Sequence, residues 1–332
     1  MDKTTFVTGA DGFIGSHLVE ALVAAGHRVR ALSLYNSFGR WGWLDQIDAR
    51  VMQSVEVITG DVRDTTVVRR AMQGSQYVMH LAALIGIPYS YLAAQSYVDT
   101  NVSGTLNVLQ AARELNVEKI IHTSTSEVYG SAQQVPIDEN HRLLAQSPYA
   151  ATKIAADQLA LAYHATYGLP VIVLRPFNTY GPRQSARAVI PAVISQLANG
   201  AREIKLGALE PTRDFNYVAD TVGAFCAALA SSAYGEVINV GSGFEISIGE
   251  VARMIAGVMR KDTPIVSDPA RVRPQASEVA RLVANADKAR RLLDYAPGYG
   301  GRAGLQQGIE ATVDWFTRPA NLAWYRKDDY AI

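Results

Sequence analysis

A glycine-rich turn close to the start of the chain constrains the fold more than any other feature. Residues 8–15 read Thr-Gly-Ala-Asp-Gly-Phe-Ile-Gly, between the apolar run Thr5–Val7 and a helical pattern over Phe13–Ala25. A tight strand-to-helix turn needs glycine, and a pyrophosphate at a helix N-terminus needs backbone N–H groups that no Cβ obstructs. The turn therefore predicts a dinucleotide site, and a glycine turn that only packs the helix is the alternative.

Short apolar runs alternate with longer helical patterns through the rest of the first half. The strand-like runs lie at Val29–Leu32, Val55–Ile58, Tyr77–Leu81, Lys119–His122 and Val171–Leu174. The helical patterns cover Asp64–Met72, Asn101–Asn116 and Ser147–Ala165. Buried strands that alternate with helices of this length predict an α/β fold, a Rossmann-type doubly wound parallel sheet with helices on both faces.

The second half of the chain is less regular and predicts a smaller C-terminal portion that binds substrate. Proline and glycine become frequent after Pro176, and a chain of 332 residues commonly holds roughly two domains. We therefore assign residues 1–176 to a dinucleotide-binding domain and residues 177–332 mainly to a substrate-binding domain. Further helix and strand patterns predict that the chain returns to the sheet near 214–242.

Composition argues against several classes of function. The 31 lysine and arginine residues balance 31 aspartate and glutamate residues, which argues against nucleic acid or an anionic membrane as a partner. Cys226 is the single cysteine, so an intrachain disulfide and a cysteine-rich zinc site are excluded, and we expect no metal. No apolar stretch reaches membrane-spanning length and Met1–Thr4 shows no secretory signal, so a cytoplasmic location is the expectation.

A tyrosine–lysine pair and a hydroxyl-rich segment predict the catalytic site. Tyr149 and Lys153 lie four residues apart on a predicted helix, so their side chains share one face. A nearby ammonium group lowers the pKa of a phenol, which allows the tyrosine to act as a base. Residues 123–130 follow a predicted strand, at the sheet edge where chemistry gathers in open α/β folds. This segment carries the candidate catalytic side chains Thr125, Ser126 and Glu127.

The end of the second predicted strand bears on the choice between NAD and NADP. An acidic residue there binds the adenosine ribose in NAD sites, but Ser33 occupies this region, with Asn36 and Arg40 further along. A hydroxyl and an arginine can accommodate a 2′-phosphate, so both cofactors stay open. Asp61, after the third strand, either flanks the adenine or caps the helix that starts near Asp64.

Several motifs give the chain a family resemblance. They are residues 8–15, His80–Ala83, Asn101, Ser124–Gly130, Tyr149–Lys153, Arg175–Arg183, Arg213–Val218 and Arg273–Pro274. The sequence resembles the extended short-chain dehydrogenase/reductases of the nucleotide-sugar epimerase and dehydratase family over nearly its whole length. Its Thr-x-Glu-Val-Tyr-Gly pattern is similar to that of the sugar 4,6-dehydratases. Gln184–Pro191 and the ending Trp324–Ile332 resemble the N-acetylglucosamine 4,6-dehydratases of legionaminic-acid-type pathways.

The resemblance implies internal hydride transfer through a tightly bound NAD or NADP, with NAD slightly favoured. Tyr149 would remove the proton of the carbon-4 hydroxyl, and Lys153 would tune it and bind the ribose. Thr125 would bond the carbon-4 oxygen, and Glu127 would take the carbon-5 proton before water leaves from carbon 6. Ser126 stands where many relatives have an aspartate, so the acid for the leaving hydroxyl stays open between Glu127 and water held by Ser126.

The candidate binding residues follow from these motifs and this resemblance. At the cofactor we expect Gly9, Gly12, Phe13, Ile14, Gly15, Ser33, Asn36, Arg40, Asp61, Val62, Leu81, Ala82, Ala83, Asn101, Tyr149 and Lys153. At the nucleotide-diphosphate sugar we expect Asn178, Arg187, Val189, Lys205, Arg213, Arg273 and Glu278, with Arg183 and Arg281 as weaker candidates. Arginine suits phosphate because its planar fork fits two oxygens at once. The nucleotide base and the hexose stay open.

Three other functions are compatible with parts of the pattern. A 4-epimerase usually lacks a carboxylate at the position of Glu127. A uronic-acid decarboxylase can carry Ser-Glu there, but tends to have an arginine soon after the lysine, where this chain has Ile154 and Ala155. A non-catalytic dinucleotide-binding regulator would have no need of both the Tyr–Lys and the Thr–Glu pairs.

The helices predicted over 101–116 and 147–165 predict a homodimer. Both carry apolar residues around more than the one stripe needed to face the sheet, so each needs a second buried partner. In the resembled family these two helices pair across a two-fold axis, and such an interface is self-complementary. We expect Leu109 and Leu161 to lie in that interface.

Overall fold

Seven parallel strands form the central sheet of the computed structural model, which describes residues 3–325. Along the chain the strands are β1 (Thr4–Thr8), β2 (Arg28–Leu34), β3 (Val55–Gly60), β4 (Tyr77–His80), β5 (Lys119–Thr123), β6 (Val171–Pro176), β7 (Asn178–Tyr180), β8 (Ile204–Leu206), β9 (Thr212–Tyr217), β10 (Val237–Val240), β11 (Glu245–Ser247), β12 (Ile265–Ser267) and β13 (Arg281–Leu282). The central sheet has the order β10-β6-β5-β4-β1-β2-β3. The predicted Rossmann-type sheet is therefore confirmed.

Helices connect these strands. They are α1 (Phe13–Ala24), α2 (Ala49–Met52), α3 (Thr65–Met72), α4 (Ile87–Leu92), α5 (Ala94–Tyr97), α6 (Gly104–Glu114), α7 (Pro148–Tyr167), α8 (Val189–Ala198), α9 (Val218–Ala230), α10 (Ile248–Val258), α11 (Asp287–Leu293), α12 (Gly301–Thr317) and α13 (Pro319–Leu322). Short 3₁₀ turns occur at Gly42–Gln46, Ser126–Tyr129, Pro269–Arg271 and Gln275–Ser277. No helix within residues 3–325 is long and apolar enough to cross a membrane.

The sheet has a separate hydrophobic core on each face because successive side chains of a strand point to opposite sides. On one face Val7, Met79 and Ile121 pack with the apolar sides of α1 and α9. On the other face Phe6 and Val78 pack with α3, α6 and α7. All of these strand residues are fully buried, which explains why the strands are continuously apolar rather than alternating.

The strand order reverses between β1 and β4, and this reversal positions the site. From β1 the chain runs outward through β2 and β3, then crosses back to place β4 on the other side of β1. In open α/β sheets a crevice forms beyond the carboxyl ends of the strands at such a point. The glycine turn after β1 and the residues after β4 therefore face a common crevice.

The C-terminal portion adds small sheets beyond that crevice. Strand β9 pairs antiparallel with β11 and parallel with β13 and β7, while β8 pairs with β12. Helices α8, α10 and α12 pack together around them. The predicted domain division stays a prediction, and β10, which lies within the predicted return, joins β6 in parallel register.

The helix predicted over 101–116 differs from the structure at its start. A π-helical turn covers Val98–Ser103, and the regular helix α6 begins only at Gly104. A π turn widens a helix by one residue and is frequent at functional sites. The helix predicted over 147–165 is confirmed as α7, with Ser147 as its N-cap because its hydroxyl accepts from the N–H of Ala150.

Candidate active site

The glycine turn has no room for side chains at its first and last glycines. A Cβ on Gly9, where φ is +67°, would lie 2.8 Å from the amide nitrogen of Ala82, and one on Gly15 would lie 2.0 Å from the carbonyl oxygen of Gly9. Gly12 is the N-cap of α1, and no side chain caps that helix. The N–H groups of Phe13 and Ile14 belong to the uncapped first turn, so the cradle fits a pyrophosphate.

A chain of buried hydrogen bonds fixes the residues after β4 against the turn. The Thr8 hydroxyl accepts from the N–H groups of Leu81 (3.2 Å) and Ala82 (3.1 Å), and lies 2.8 Å from Nδ1 of His80. Nε2 of His80 lies 3.0 Å from the Thr105 hydroxyl. Burial holds the pKa of His80 well below its usual value. Leu81 and Ala82 thus lie against the glycine turn, with Ala83 next in the chain, and the contacts of these three residues with the cofactor stay predictions.

Asn101 lies in the π-helical turn and links two parts of the site. Its amide oxygen accepts from the N–H of Leu84 (2.8 Å), and its amide nitrogen donates to the Leu84 carbonyl (2.9 Å) and the Thr152 hydroxyl (3.0 Å). Thr152 precedes Lys153 on α7. The structure therefore gives Asn101 a positioning role between the loop after β4 and the catalytic helix, and its predicted contact with the cofactor stays a prediction.

The predicted residues after β3 have partners within the chain. The Asp61 carboxylate accepts from the Arg63 guanidinium, and that bond lowers the pKa of Asp61. The cap of α3 is Asp64, whose side chain accepts from the first turn, so the alternative that Asp61 caps this helix is wrong. Val62 is buried in the core beside Gly104.

The loop after β2 is organised by its own side chains. The Asn36 amide donates to the carbonyls of Leu34 and Arg40 and accepts from the N–H groups of Phe38 and Arg40. The Arg40 side chain is 68% exposed and lies 3.7 Å from the Asp45 carboxylate. Cofactor contacts of Asn36 and Arg40 stay predictions.

The candidate catalytic residues meet beyond the end of β5. Thr125 caps the 3₁₀ turn Ser126–Tyr129, since its hydroxyl accepts from the N–H of Glu127 at 3.2 Å. The same hydroxyl lowers the pKa of the buried Tyr149 phenol, and the negative charge of Glu127 raises it, so both side chains lie near that phenol. Lys153 donates to the carbonyl of Thr123 at 2.6 Å. The predicted juxtaposition of the two motifs is therefore present, while the catalytic roles stay predictions.

The electrostatics of Tyr149 and Lys153 differ from the simple expectation. Burial raises the pKa of Tyr149, and the hydrogen bond with Thr125 opposes that effect only in part. Burial also lowers the pKa of Lys153 to about 8, although the Asp157 carboxylate opposes it. In the protein alone the phenol is thus protonated at neutral pH, and proton removal from it needs a further positive charge close by.

A buried polar cluster below this site escaped the sequence analysis. We call it the Asp157 cluster, and its members are Ser124, His122, Asp157, Arg175, Tyr129 and Asn239. The Asp157 carboxylate accepts from the Ser124 hydroxyl (2.7 Å) and from two nitrogens of Arg175 (3.1 and 3.0 Å), and lies 3.2 Å from His122. Arg175 also donates to the Tyr129 hydroxyl, which donates to Asn239.

The Asp157 cluster ties the catalytic helix to three strands. Asp157 lies four residues after Lys153 on α7, while its partners come from the ends of β5, β6 and β10. Burial raises the pKa of Asp157, but His122, Arg175 and Lys153 outweigh it, so the pKa lies below its usual value. A carboxylate here is recognisable in the sequence only as an acidic residue one turn beyond the lysine.

Two arginines face one carboxylate in the C-terminal portion. We call Arg213, Arg273 and Glu278 the Arg213 group. Nη2 of Arg213 lies 3.3 Å from Glu278, and Nη1 of Arg273 lies 3.9 Å from the same oxygen. Nη1 of Arg273 is buried and makes no hydrogen bond within the described residues. Burial lowers the pKa of Arg213, and the negative charge of Glu127 opposes this effect.

Three candidates for the sugar site lie outside the Arg213 group: Asn178, Arg187 and Val189. Asn178, whose buried amide oxygen has no hydrogen-bond partner among residues 3–325, is placed to accept a ligand. Arg187 is exposed, and its charge acts on Tyr97, whose ring packs edge-on against Tyr149. Val189 begins α8.

Three cations of the sequence analysis have partners elsewhere. Lys205 lies 3.6 Å from Glu203 with its side chain half exposed, and its contact with the sugar stays a prediction. Arg183 forms a bidentate pair with Glu20 on α1, so the structure gives this weaker candidate a packing role. Arg281 pairs with Glu245, and half of the Arg281 side chain is exposed. No group of three or more histidine, cysteine, aspartate or glutamate side chains between residues 3 and 325 is arranged to hold a metal ion.

The glycine cradle at the β1–β4 reversal and the Tyr–Lys helix beside it define a class, the dinucleotide-dependent enzymes of the short-chain dehydrogenase/reductase type. The chain belongs to a family within that class, described as GDP-mannose 4,6 dehydratase, whose model matches residues 6–308. The predicted family is therefore confirmed. The resemblance drawn from the ending is untested, because Tyr330–Ile332 lie outside the described residues.

Known proteins of two activities are similar to the chain at equal identity. It is 32% identical to a dTDP-glucose 4,6-dehydratase of Actinoplanes sp., over 96% of this chain and 98% of the relative. It is also 32% identical to a UDP-N-acetyl-alpha-D-glucosaminuronate decarboxylase of Bacillus cytotoxicus, over 97% and 100%. The dTDP-glucose 4,6-dehydratase DesIV of Streptomyces venezuelae, solved with NAD bound, superposes with a TM-score of 0.86 at 31% identity, covering 97% and 98% of the two chains.

Proposed function

We propose that this protein is a nucleotide-sugar 4,6-dehydratase that converts an NDP-hexose or NDP-N-acetylhexosamine to the 4-keto-6-deoxy sugar. One observation carries the proposal. The Thr125 hydroxyl accepts from the backbone N–H of Glu127 and lies close enough to the Tyr149 phenol to lower its pKa, so a base for the carbon-4 hydroxyl and a carboxylate for carbon 5 are held near each other. General acid–base catalysis requires this proximity first.

A dinucleotide held by the glycine turn, Tyr149 and Lys153 would supply the hydride chemistry of this reaction. Tyr149 takes the hydroxyl proton when positive charge nearby stabilises its phenolate, and Lys153 is one source of that charge. Thr125 holds the carbon-4 oxygen. Glu127 removes the carbon-5 proton, which the new ketone has made acidic. The acid for the leaving hydroxyl is Glu127, or water held by the buried Ser126.

The Arg213 group supports a diphosphate beside this machinery. Two guanidinium groups face one carboxylate, so the group carries net positive charge, and a buried nitrogen of Arg273 is free to donate. Charge-assisted hydrogen bonds to phosphate oxygens would satisfy both features. Asn178 offers an acceptor for a hydroxyl or N–H of the same ligand.

A uronic-acid decarboxylase is the second candidate, because a relative with that activity is as similar as the dehydratase. The site favours dehydration, since a decarboxylase needs no base for the carbon-5 proton once carbon dioxide leaves. A 4-epimerase likewise needs no carboxylate at Glu127. A panel of UDP-, GDP- and dTDP-linked hexoses, N-acetylhexosamines and uronic acids, followed by mass spectrometry, separates these activities. Loss of water supports the proposal, and loss of carbon dioxide or retention of mass with inversion overturns it.

The role of Glu127 has its own test. Glu127→Gln should bind substrate nearly as well as the parent and lose turnover by roughly 100-fold or more, the scale of a lost acid–base group. In the parent, solvent deuterium should enter carbon 5 of the product, as read by NMR. Glu114→Gln, at a half-exposed surface pair with Arg69, is the matched control and should keep parent turnover. Near-parent turnover in Glu127→Gln would assign the step to another group.

The proposal extends to a cytoplasmic homodimer. A single cysteine suits a reducing compartment. The outward face of α7 supports a second copy, because four alanines on this helix, Ala151, Ala155, Ala162 and Ala165, are exposed or only partly covered. The expectation for Leu109 is wrong, since this residue is 1% exposed within the core beside the sheet. Leu161 also packs in part against that core.

Ala162 is therefore the position at which to test the dimer. Ala162→Asp should convert a dimer to a monomer in light scattering at micromolar concentration, because charge buried at an apolar interface is costly. Ala311→Asp, on an exposed face of α12, is the control and should leave the mass unchanged. A parent protein that is monomeric at that concentration would contradict the proposal.

A further inference from the structure

The glycine turn contains a carboxylate that reaches the end of β2. Asp11 lies between Gly9 and Gly12, yet its Oδ2 accepts from the Ser33 hydroxyl at 3.1 Å and from the N–H of Leu34 at 3.0 Å. In dinucleotide folds the end of the second strand is where an acidic residue meets the adenosine ribose. The acidic group that β2 lacks is thus present there, supplied by the preceding turn.

The backbone holds Asp11 in this position. The N–H of Trp43 donates to the Asp11 carbonyl at 3.0 Å. Gly42, with φ of +56°, passes so close that a Cβ there would lie 2.6 Å from the same carbonyl oxygen. The Trp43 ring packs 5.5 Å from that of Trp315 on α12, which anchors the clamp to the C-terminal portion. The carboxylate is therefore preorganised at the end of β2.

The charges around the Asp11 carboxylate are unfavourable for the 2′-phosphate of NADP. Arg40 is the cation that could have met a 2′-phosphate, but it lies 3.7 Å from Asp45, which also accepts from the N–H of Trp41. Within residues 3–325 the Asp11 carboxylate accepts hydrogen bonds from a hydroxyl and an amide and from no basic side chain. The carboxylates of Asp11 and Asp45, with the single guanidinium of Arg40, thus leave a net negative charge on this side of the crevice.

We propose that Asp11 makes the site selective for NAD over NADP. The carboxylate accepts from the ribose hydroxyls of NAD and repels the 2′-phosphate of NADP, since like charges at close range disfavour binding by two or more factors of ten. Ser33 acts as a donor that fixes the carboxylate rather than as a phosphate ligand. The inference rests on the proposed function only in that a dinucleotide binds at the glycine turn.

The test uses the full chain after charcoal removal of its bound dinucleotide. Titration calorimetry with NAD and NADP should show that the parent binds NAD on the order of 100-fold more tightly. Asp11→Asn, which keeps the shape and loses the charge, should reduce that ratio to about 10 or less, chiefly through tighter binding of NADP. Asp48→Asn loses the same charge at the exposed cap of α2, where asparagine caps equally well, and should keep the parent ratio.

A ligand-side measurement covers the case in which Asp11→Asn fails to fold. The parent should bind 2′-deoxy-NAD roughly 10-fold more weakly than NAD, because the carboxylate loses a charge-assisted hydrogen bond. Equal affinities for NAD and 2′-deoxy-NAD, or an unchanged ratio in a folded Asp11→Asn, would overturn the inference. Selective NAD binding without loss of water from any sugar would reject the dehydratase alone, whereas binding of neither dinucleotide would reject both.

Discussion

Two arginine–carboxylate groups inside the molecule differ in how completely their charged groups are hydrogen-bonded. In the Asp157 cluster one carboxylate receives hydrogen bonds from Ser124, His122 and Arg175, and the arginine also donates to Tyr129, although the uncharged Nδ1 of His122 is buried without a hydrogen bond among residues 3–325. In the Arg213 group two arginines share one carboxylate at longer distances, and the buried Nη1 of Arg273, 3.9 Å from that carboxylate, makes no hydrogen bond among residues 3–325.

The difference separates a structural group from a binding group. A buried charge that is fully paired is costly to disturb, and its removal changes the fold. A buried polar atom without a partner costs free energy in the protein alone, and persists where a ligand completes it. We therefore expect the same residue types to hold α7 in one place and to receive a ligand in the other.

The largest expected effect comes from breaking the paired group. Asp157→Asn leaves the Arg175 guanidinium buried without its counter-charge, so the free energy of unfolding should fall by about 3–5 kcal/mol. Urea denaturation measures this change in the free energy of unfolding. Asp314→Asn, at an exposed pair with Arg318, is the control and should change stability by about 0.5 kcal/mol at most. A loss below about 1 kcal/mol for Asp157→Asn would place the Asp157 cluster among weak surface-like pairs.

A smaller effect, on binding rather than stability, is expected in the Arg213 group. Arg273→Gln removes a charge-assisted donor, so the Kd for the nucleoside diphosphate should rise by about 30-fold. The free energy of unfolding without ligand should stay within about 0.5 kcal/mol of the parent, because no fully paired contact is lost. Calorimetry with UDP, GDP and dTDP measures the Kd, and denaturation measures the free energy of unfolding. A large loss of stability with unchanged affinity would reverse the assignment of the group.

The smallest effect is expected at a third arginine pair, which is only partly buried. Arg183→Gln breaks the bidentate contact with Glu20, in which both side chains are partly exposed, so stability should fall by about 1 kcal/mol or less. Nucleotide affinity should be unchanged, which makes this variant the matched control for Arg273→Gln. Weaker binding of UDP, GDP or dTDP in Arg183→Gln would return Arg183 to the substrate site.

Much of the fold could be predicted from the sequence, and so could the glycine turn, the Tyr–Lys pair and the Thr125–Glu127 segment of the site. The sequence signals of all of these are local. The glycine turn, the apolar strands and the Tyr–Lys spacing each lie within a few residues, and their physical requirements leave few alternatives. The Thr125–Glu127 segment was found for the same reason. Its position beside Tyr149 follows from the parallel sheet, which gathers strand ends at one edge.

The features that were missed depend on contacts between distant residues. Asp157 is one acidic residue on a helix, and its role appears only when Arg175 from the next strand is brought beside it. Asp11 lies between two glycines of the pattern, at a position where the pattern requires no particular residue. Its hydrogen bond with Ser33 depends on the register of β1 and β2 in the sheet. The π-helical start before α6 has no sequence signal of its own, since the Asn101 bonds that accompany it join three separate segments.

The position of β10 has a consequence for synthesis and for dissection of the chain. This strand closes the sheet beside β6, but it leaves the ribosome some 60 residues after β6, once β7, α8, β8, β9 and α9 have emerged. A nascent chain that ends at 176 therefore presents all six buried residues of β6 as a bare edge, a template for pairing with other chains. A recombinant fragment cut there should aggregate, and one that extends past Val240 includes the strand that protects the edge.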